Sequence, residues 1–352
     1  MENSKKTIKH KGWIILSCII LVIVLLFGIL FGIVYNNPQI IVGALQSALY
    51  GENPINSFES FGEPIEHVKK NGILYKTEIQ YGTEYPNSYL DISYTTEDTT
   101  VDRPTVIYFH GGGYFGGDKS LGDPLAVNDN ANALFDKIVL EGYNFVNVNY
   151  ALVPDYHYPV PLIQMNQAID FLKTNSEEYN LNMDNIILFG QSAGAIMVAQ
   201  YGAMMSNPEY AEHFGITPAL PLDSVSALII DDAPLIFDEF SISTKLLVGN
   251  YLDTMSNKKS EEMNYNPIPY INENYPATFL IGSNESGGYE YDMSVMDKKL
   301  SEVGVTYEHF YRDQSYGTTM HGFLNNILTD LNAQACYDEM IAFINNKSKI
   351  EK

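Results

Sequence analysis

Residues 185–205 place a short strand pattern, a turn of small residues and a helix pattern in immediate succession. The apolar run "NIILF" ends at Phe189, "GQSAG" follows at positions 190–194, and "AIMVAQYGAMM" continues with helical character. A serine flanked by small residues between a strand and a helix is typical of a nucleophile elbow, because its sharp turn leaves no room for neighbouring side chains. The pattern predicts that Ser192 is the nucleophile of such an elbow.

Eight strand patterns alternate with helix patterns along most of the chain. The first two alternate polar and apolar residues, which is typical of an antiparallel edge, whereas "NIILFG" and "ATFLIG" are apolar throughout, which is typical of buried parallel strands. The sequence therefore predicts an α/β fold in which a mostly parallel, eight-stranded sheet has helices on both faces. Residues from about 232 to 275 are too many for a simple connection, and we expect them to form a small cap over the carboxyl edge of the sheet.

The N-terminal segment indicates a membrane anchor. Residues 13–35 contain no charged side chain and, as one helix, would be long enough to cross a bilayer core. Because four lysines between positions 5 and 11 precede this run, we expect the basic tail, residues 1–12, in the cytoplasm and the rest of the chain outside a single-pass helix in the cell membrane. A connection, residues 36–71, would then lead to an extracytoplasmic catalytic domain, residues 72–352. Cleavage of the helix as a signal peptide is the alternative, although its apolar run exceeds the usual length.

The charge balance excludes one class of partner. The chain has 20 Lys and Arg against 43 Asp and Glu, a net charge of -23. Nucleic-acid binding needs clustered basic residues, so we expect no nucleic-acid partner. Only Cys336 lies beyond the predicted anchor, which leaves no second cysteine for a disulfide within the external domain.

The stretch "HGGGYFGGD", residues 110–118, fits two motifs at once. Its glycines spell the G-x-G-x-x-G of a dinucleotide site, but "DKSLGDP" delays the next helix and the next strand does not end in an acid, as such a site requires. We therefore interpret H-G-G-G as an oxyanion loop, in which glycines let backbone N–H groups approach a substrate oxygen. The expected donors are Gly112, Gly113 and Ala193, while His110 is expected to shape the loop.

A serine nucleophile needs a general base and a carboxylate that orients that base. His321, in "TTMHGFLNN", follows the last strand pattern and precedes the last helix, where the chain order serine, acid, histidine requires the base. The acid is expected after the strand "ATFLIG". Glu285 in "GSNESGG" is the first carboxylate there, and Asp292 is the alternative.

Together these motifs resemble the α/β-hydrolase fold, specifically its hormone-sensitive-lipase-like and carboxylesterase branch. "HGGGYFGGD" is similar to the oxyanion loop of that branch, "GQSAG" to its elbow, "HGF" to its histidine turn, and "NYALVPDYHYPVPLIQMNQAIDFL" to its Y-R-L-A-P-E segment and the helix after it. The resemblance covers about residues 72–346. This chain departs from the family pattern with Glu285 where Asp is usual, Gln191 before the serine, and Ala151 in place of an Arg.

The resemblance implies a serine hydrolase that cleaves carboxylic esters through an acyl-serine intermediate, with short-chain or acetyl esters favoured by the moderate size of the cap. Its partner would be a small-molecule ester, and no metal or organic cofactor is implied. Two other functions stay open. One is a serine peptidase or amidase on the same fold, and the other is a catalytically inactive domain that binds a ligand or partner at the cell surface.

Overall fold

Nine strands form one sheet in the computed structural model, which describes residues 20–21, 23–120, 122–126, 131–286 and 288–348. Numbered along the chain, the strands are Glu66–Val68 (β1), Leu74–Gln80 (β2), Tyr89–Tyr94 (β3), Pro104–Phe109 (β4), Asn144–Val148 (β5), Asn182–Gln191 (β6), Val225–Asp231 (β7), Thr278–Ile281 (β8) and Tyr307–Phe310 (β9). Their order across the sheet is β1-β2-β3-β5-β4-β6-β7-β8-β9.

The sheet is mixed, and its parallel part carries the interior. Strands β5, β4, β6, β7, β8 and β9 run parallel to one another, while β1, β2 and β3 add an antiparallel edge. The predictions of an antiparallel start and of a mostly parallel sheet are confirmed. The predicted number of strands was one too few, because β1 has only three residues, all exposed, and is defined by its pairing with β2 rather than by an apolar pattern.

Helices cover both faces of the sheet. In β4, Val106 and Tyr108 pack into one apolar core, while Ile107 and Phe109 pack into the other, as the two-residue period of a strand requires. The helices are Ile23–Asn36 (α1), Gln39–Tyr50 (α2), Ala131–Leu140 (α3), Val160–Thr174 (α4), Ser176–Tyr179 (α5), Ala193–Ser206 (α6), Pro208–Glu212 (α7), Ile242–Tyr251 (α8), Asn257–Glu262 (α9), Glu290–Val303 (α10) and Leu331–Ser348 (α11).

The predicted anchor, residues 13–35, lies partly outside the described residues, which omit positions 13–19 and 22. Within the described ranges, no helix taken singly has both the length and the apolar composition needed to cross a membrane. Helices α1 and α2 meet both conditions only as a pair, with a bend of 77° between them.

The segment predicted as a cap, about residues 232–275, contains α8 and α9. Two short 3-10 turns, Phe237–Glu239 and Ile268–Tyr270, accompany these helices. Helix α8 contributes Thr244, Leu247 and Val248 to the wall of the pocket that holds Ser192. The segment therefore lies over the carboxyl edge of the parallel strands.

Candidate active site

Ser192 occupies a strained turn between β6 and α6. Its backbone has φ 54° and ψ -114°, a conformation that side chains rarely adopt, and its N–H donates to Asp231 O at 2.8 Å. The flanking glycines are required: a Cβ on Gly190 would lie 2.3 Å from Gly194 O, and one on Gly194 would lie 2.0 Å from Phe109 O. The sequence prediction of an elbow without room for side chains is borne out by these contacts.

A small pocket opens beside the Ser192 side chain at the carboxyl edge of the sheet. It lies between the elbow, the H-G-G-G loop and the cap helix α8, and its free volume is only about 10 Å³, close to the space of one water molecule. Most of its wall is apolar. The lining residues are Gly113, Tyr114, Leu125, Ser192, Ala193, Ile196, Pro234, Thr244, Leu247, Val248 and Tyr289.

Two of the three predicted oxyanion donors border this pocket. In the part of the chain that the structure describes, the backbone N–H groups of Gly113 and Ala193 have no protein acceptor, so both can donate to a substrate oxygen. Gly112 does not line the pocket. Its φ of 99° and the 2.2 Å that would separate its Cβ from Gly116 O show that glycine is needed there for the tight path of the loop.

Contacts with aromatic side chains hold the H-G-G-G loop in place. The buried ring of His110 stacks on Tyr150 with centroids 4.2 Å apart, and Tyr150 Oη donates to His110 O at 2.6 Å. Tyr114 Oη donates to Ala193 O at 2.9 Å and so ties the loop to α6. Burial lowers the pKa of His110, which favours a neutral, packed ring. This arrangement agrees with the interpretation that His110 shapes the loop.

The carboxylate on the His321 ring belongs to Asp232. His321 Nδ1 lies 2.6 Å from Asp232 Oδ2, and Ser283 Oγ donates to the same carboxylate at 2.9 and 2.8 Å. Asp232 directly follows β7, and its backbone has φ 55°. The orienting carboxylate therefore follows β7, which lies beside β6, the strand that leads into Ser192.

The two acids expected from the sequence lie elsewhere, which corrects that assignment. Glu285 Oε1 accepts a hydrogen bond from the backbone N–H of His321 at 2.8 Å and so holds the main chain rather than the ring. Asp292 Oδ1 accepts from Leu235 N and Ile236 N, each at 2.7 Å, and fixes the start of the cap. Burial raises the pKa of Asp292 to about 6.

Asp232 could have been found from the pattern "VSALIIDD". Carboxyl ends of parallel strands meet at one edge of a sheet, so acids that end the strand next to the elbow strand are candidates.

The acid before Asp232 in this pattern, Asp231, is fully buried and accepts from Gln191 Nε2 at 2.7 Å. Burial and the charge of Asp232 raise the pKa of Asp231 to about 7. Gln191 also accepts from Asn325 Nδ2 at 3.1 Å, so an amide at this position bridges a donor and an acceptor.

A second carboxylate, which the sequence did not indicate, faces the other nitrogen of His321. Asp123 Oδ2 lies 3.5 Å from His321 Nε2, and within the described residues neither atom has a hydrogen-bond partner. Burial lowers the pKa of His321, but Asp123 and Asp232 outweigh burial and raise it well above the usual value. Across the described ranges, no group of three or more His, Cys, Asp or Glu side chains could hold a metal ion.

The fold, the strained serine turn, the histidine-aspartate pair and the free glycine-loop N–H together define an α/β-hydrolase. The sequence model of the BD-FAE family matches residues 90–296, more than half of the chain, and the protein belongs to that family.

Among curated relatives, an esterase of Gibberella moniliformis is 29% identical over 153 residues, which are 41% of this chain and 42% of that protein. An acetyl esterase of Salmonella paratyphi B is 28% identical over 115 residues, 32% of each chain. The chain spans less than half the length of these relatives. Among solved structures, esterase B of Lactobacillus rhamnosis has a TM-score of 0.66 at 18% identity, over 88% of this chain and 93% of that one. This likeness confirms the α/β-hydrolase fold.

Proposed function

We propose that the protein is a serine hydrolase that cleaves carboxylic esters through an acyl-serine intermediate. The observation that carries the proposal is the shared pocket of Ser192 and the free N–H groups of Gly113 and Ala193. Attack on a carbonyl group requires a nucleophile and hydrogen-bond donors for the developing oxyanion, and here both border the same pocket.

In the acylation step, Ser192 Oγ attacks the ester carbonyl carbon as its proton passes to His321 Nε2. The carbonyl oxygen becomes an anion and receives hydrogen bonds from Gly113 N and Ala193 N. Asp232 on Nδ1 keeps the ring in the orientation that presents Nε2 and stabilises the imidazolium. The imidazolium then gives the proton to the alcohol, which leaves as the bond to the acyl carbon breaks.

In the deacylation step, water attacks the acyl carbon while His321 accepts a proton from it. The same donors stabilise the second oxyanion. Collapse of this intermediate breaks the bond to Ser192 Oγ, which regains its proton from the imidazolium, and the carboxylic acid leaves. The two steps use the same residues in the same positions.

We further propose that the acyl group is short, with acetyl esters favoured. The pocket beside Ser192 is small, and apolar residues of α8 close it on the cap side. The free space is about that of one water molecule, so any acyl group must widen the pocket, and an acetyl group requires a smaller movement of the walls than a long chain does. The acetyl-esterase name of the Salmonella relative supports the same preference.

The decisive experiment is turnover of p-nitrophenyl acetate, butyrate and octanoate by the full chain in mild detergent. We expect hydrolysis in the order acetate, butyrate, octanoate, and labelling of the protein by a serine-directed fluorophosphonate. Ser192→Ala should abolish both, while Ser294→Ala, which removes an exposed hydroxyl on α10, should leave both unchanged.

Two results would overturn the ester proposal in different directions. Cleavage of short peptide anilides without ester turnover would identify a peptidase on the same fold. Absence of both turnover and labelling in a correctly folded protein would identify a domain that only binds.

We also propose that the N-terminal helix anchors the protein in a membrane with the hydrolase domain outside the cytoplasm. Support comes from α1, whose apolar side chains are exposed, Phe27 to 70%, and from α2, which buries Val42 but exposes Ile40 and Leu49. The lysines before residue 13 support the cytoplasmic position of the tail.

Membrane fractionation of expressing cells tests this second proposal. The full chain should stay in the pellet after an alkaline carbonate wash, and a chain lacking residues 1–36 should be released. Protease added to intact cells should degrade the catalytic domain if it lies outside. Release of the full chain by carbonate, or protection of its domain, would contradict the anchor or the orientation respectively.

A further inference from the structure

Asp123 lies in the segment between the H-G-G-G loop and α3, with its side chain fully buried. Its Oδ1 accepts from the backbone N–H of Leu125 at 2.7 Å, which fixes the carboxylate plane. Gly111 leaves the space that the carboxylate fills, because a Cβ on Gly111 would lie 2.0 Å from Asp123 Oδ2. The local chain is therefore built to hold a carboxylate at this point.

The free oxygen of this carboxylate is directed at the proposed base. Asp123 Oδ2 lies 3.5 Å from His321 Nε2, and in the described part of the chain neither atom makes a hydrogen bond. A buried carboxylate oxygen without a donor is unfavourable, and a proton on Nε2 would supply the missing positive charge. Since Asp232 accepts at Nδ1, a ring protonated on both nitrogens would pair with a carboxylate on each side.

The remaining groups that face His321 add no positive charge. Glu285 accepts from the backbone N–H of His321, and the Tyr289 ring lies nearly perpendicular to the imidazole with centroids 5.3 Å apart. Asp231, adjacent to Asp232 in the chain, is a further buried acid, and burial raises its pKa to about 7. The surroundings of the ring, as described, are acidic or neutral on every side.

We infer that Asp123 is a positioning residue that pairs with the protonated His321 in the resting protein and competes with Ser192 for Nε2. The ring must lose its Nε2 proton to solvent before it can accept the proton of Ser192 Oγ. Asp123 opposes that loss, so it decides how alkaline the medium must be before the nucleophile can be activated. The inference rests on the proposed ester hydrolysis and adds a control over its base.

The direction of the effect follows from the electrostatics. Burial alone lowers the pKa of His321, whereas the two carboxylates raise it well above the usual value. Asp123→Asn removes one negative charge but retains an oxygen that can accept from Leu125 N. The pKa of His321 should therefore fall, and activity should extend to lower pH.

The first test is the pH dependence of kcat/KM for p-nitrophenyl acetate, from pH 5 to 10, in the full chain. We expect Asp123→Asn to move the acid limb at least one pH unit lower, which makes kcat/KM about tenfold larger at pH values below the limb. Asp136→Asn, which removes a carboxylate of α3 that pairs with Lys69, should leave the limb in place. A limb that coincides with that of the wild type, or moves to higher pH, would overturn the inference.

The second test does not depend on turnover. NMR titration of the His321 ring in Ser192→Ala, assigned by comparison with His321→Gln, should show a lower midpoint when Asp123→Asn is added. If Asp123→Asn does not fold, Asp123→Ser replaces it, because its hydroxyl can also accept from Leu125 N. An unchanged midpoint refutes the role of Asp123. A shifted midpoint in a protein without ester turnover supports that role and refutes the proposed function instead.

Discussion

His321 Nδ1 and Asp232 Oδ2 are 2.6 Å apart, and the two residues come from different loops at the carboxyl edge of the sheet. Because Nδ1 donates to Asp232, Nε2 is the nitrogen that remains to accept a proton from Ser192. Asp232→Asn would keep the shape but remove the charge and can favour the wrong ring tautomer. We expect kcat for p-nitrophenyl acetate to fall by about 10³- to 10⁴-fold, with KM little changed.

Glu285→Gln is the matched comparison for Asp232→Asn. Its amide oxygen can still accept from the backbone N–H of His321, so the position of the histidine turn is retained. We expect kcat within about tenfold of the wild type, since no contact with the imidazole is lost. The reverse order of the two variants, with Glu285→Gln the more damaging, would show that the acid in solution is the one indicated by the sequence motif.

The elbow was predicted correctly from a local sequence pattern, whereas the acid assigned from the sequence was wrong. Ser192 and its flanking glycines lie within one local pattern, so strand, turn and helix specify their geometry without help from distant residues. The position of the acid depends on which strands are neighbours in the sheet. Strand β7 lies between β6 and β8, and Asp232, which directly follows β7, contacts the His321 ring. The loop after β8 contributes Ser283, whose hydroxyl donates to the Asp232 carboxylate.

The contact between Asp123 and His321 illustrates a further limit of sequence patterns. Asp123 lies in an irregular loop, so neither a helical nor a strand period marks it. Its proximity to His321 requires the segment after the H-G-G-G loop to lie against the histidine turn, and the two residues are nearly 200 positions apart in the chain. The predicted cap, by contrast, was recognisable from its length alone.

Gly194→Ala should destabilise the elbow strongly. The new Cβ would lie 2.0 Å from Phe109 O and 2.8 Å from His110 O, both backbone atoms of the adjacent strand end, so the chain itself would have to move. We expect a loss of about 2 kcal/mol or more in the free energy of unfolding, measured by denaturant titration. Gly62→Ala is the control, because its Cβ would meet Glu78 at an ordinary 3.6 Å. Equal stability of the two variants would contradict the crowding argument.

Asp231 should make the protein less stable as pH rises from about 4 to about 7. Its pKa is raised to about 7 in the folded chain, so in this window the folded state keeps a proton that the unfolded state has lost. The contribution of Asp231 to the free energy of unfolding then falls by about 1.4 kcal/mol per pH unit. Asp231→Asn lacks the titration but can still accept from Gln191, so its advantage over the wild type should grow through the window and then level off.

Thermal or urea unfolding at pH 4.5, 6 and 8 measures this difference. Asp223→Asn, at an exposed position, should follow the wild-type pH dependence closely. Parallel pH dependences for wild type and Asp231→Asn would show that Asp231 is ionised across the whole range in the folded protein.

Lys119, which directly follows "HGGGYFGGD", pairs with two buried carboxylates. Its ammonium group pairs with Glu78 and lies 3.1 Å from Asp91 Oδ1, and all three side chains are less than 10% exposed. Lys119→Met would leave both acids buried without a cation, and we expect a loss of about 3 to 5 kcal/mol in the free energy of unfolding. Because the contacts of Lys119 with Glu78 and Asp91 hold the chain immediately after the oxyanion loop, we also expect a lower kcat in the folded fraction of the variant.

Lys69→Met provides the comparison for Lys119→Met, because Lys69 pairs with Asp136 at 2.7 Å where both side chains are about one quarter exposed. Water can replace the lost partner there, so we expect a change within about 1 kcal/mol. Urea denaturation of both variants at neutral pH measures the contrast. If Lys119→Met is as stable as Lys69→Met, then Glu78 and Asp91 must take up a proton or reach solvent when the lysine is removed, and the loop after H-G-G-G is not fixed by this ion pair.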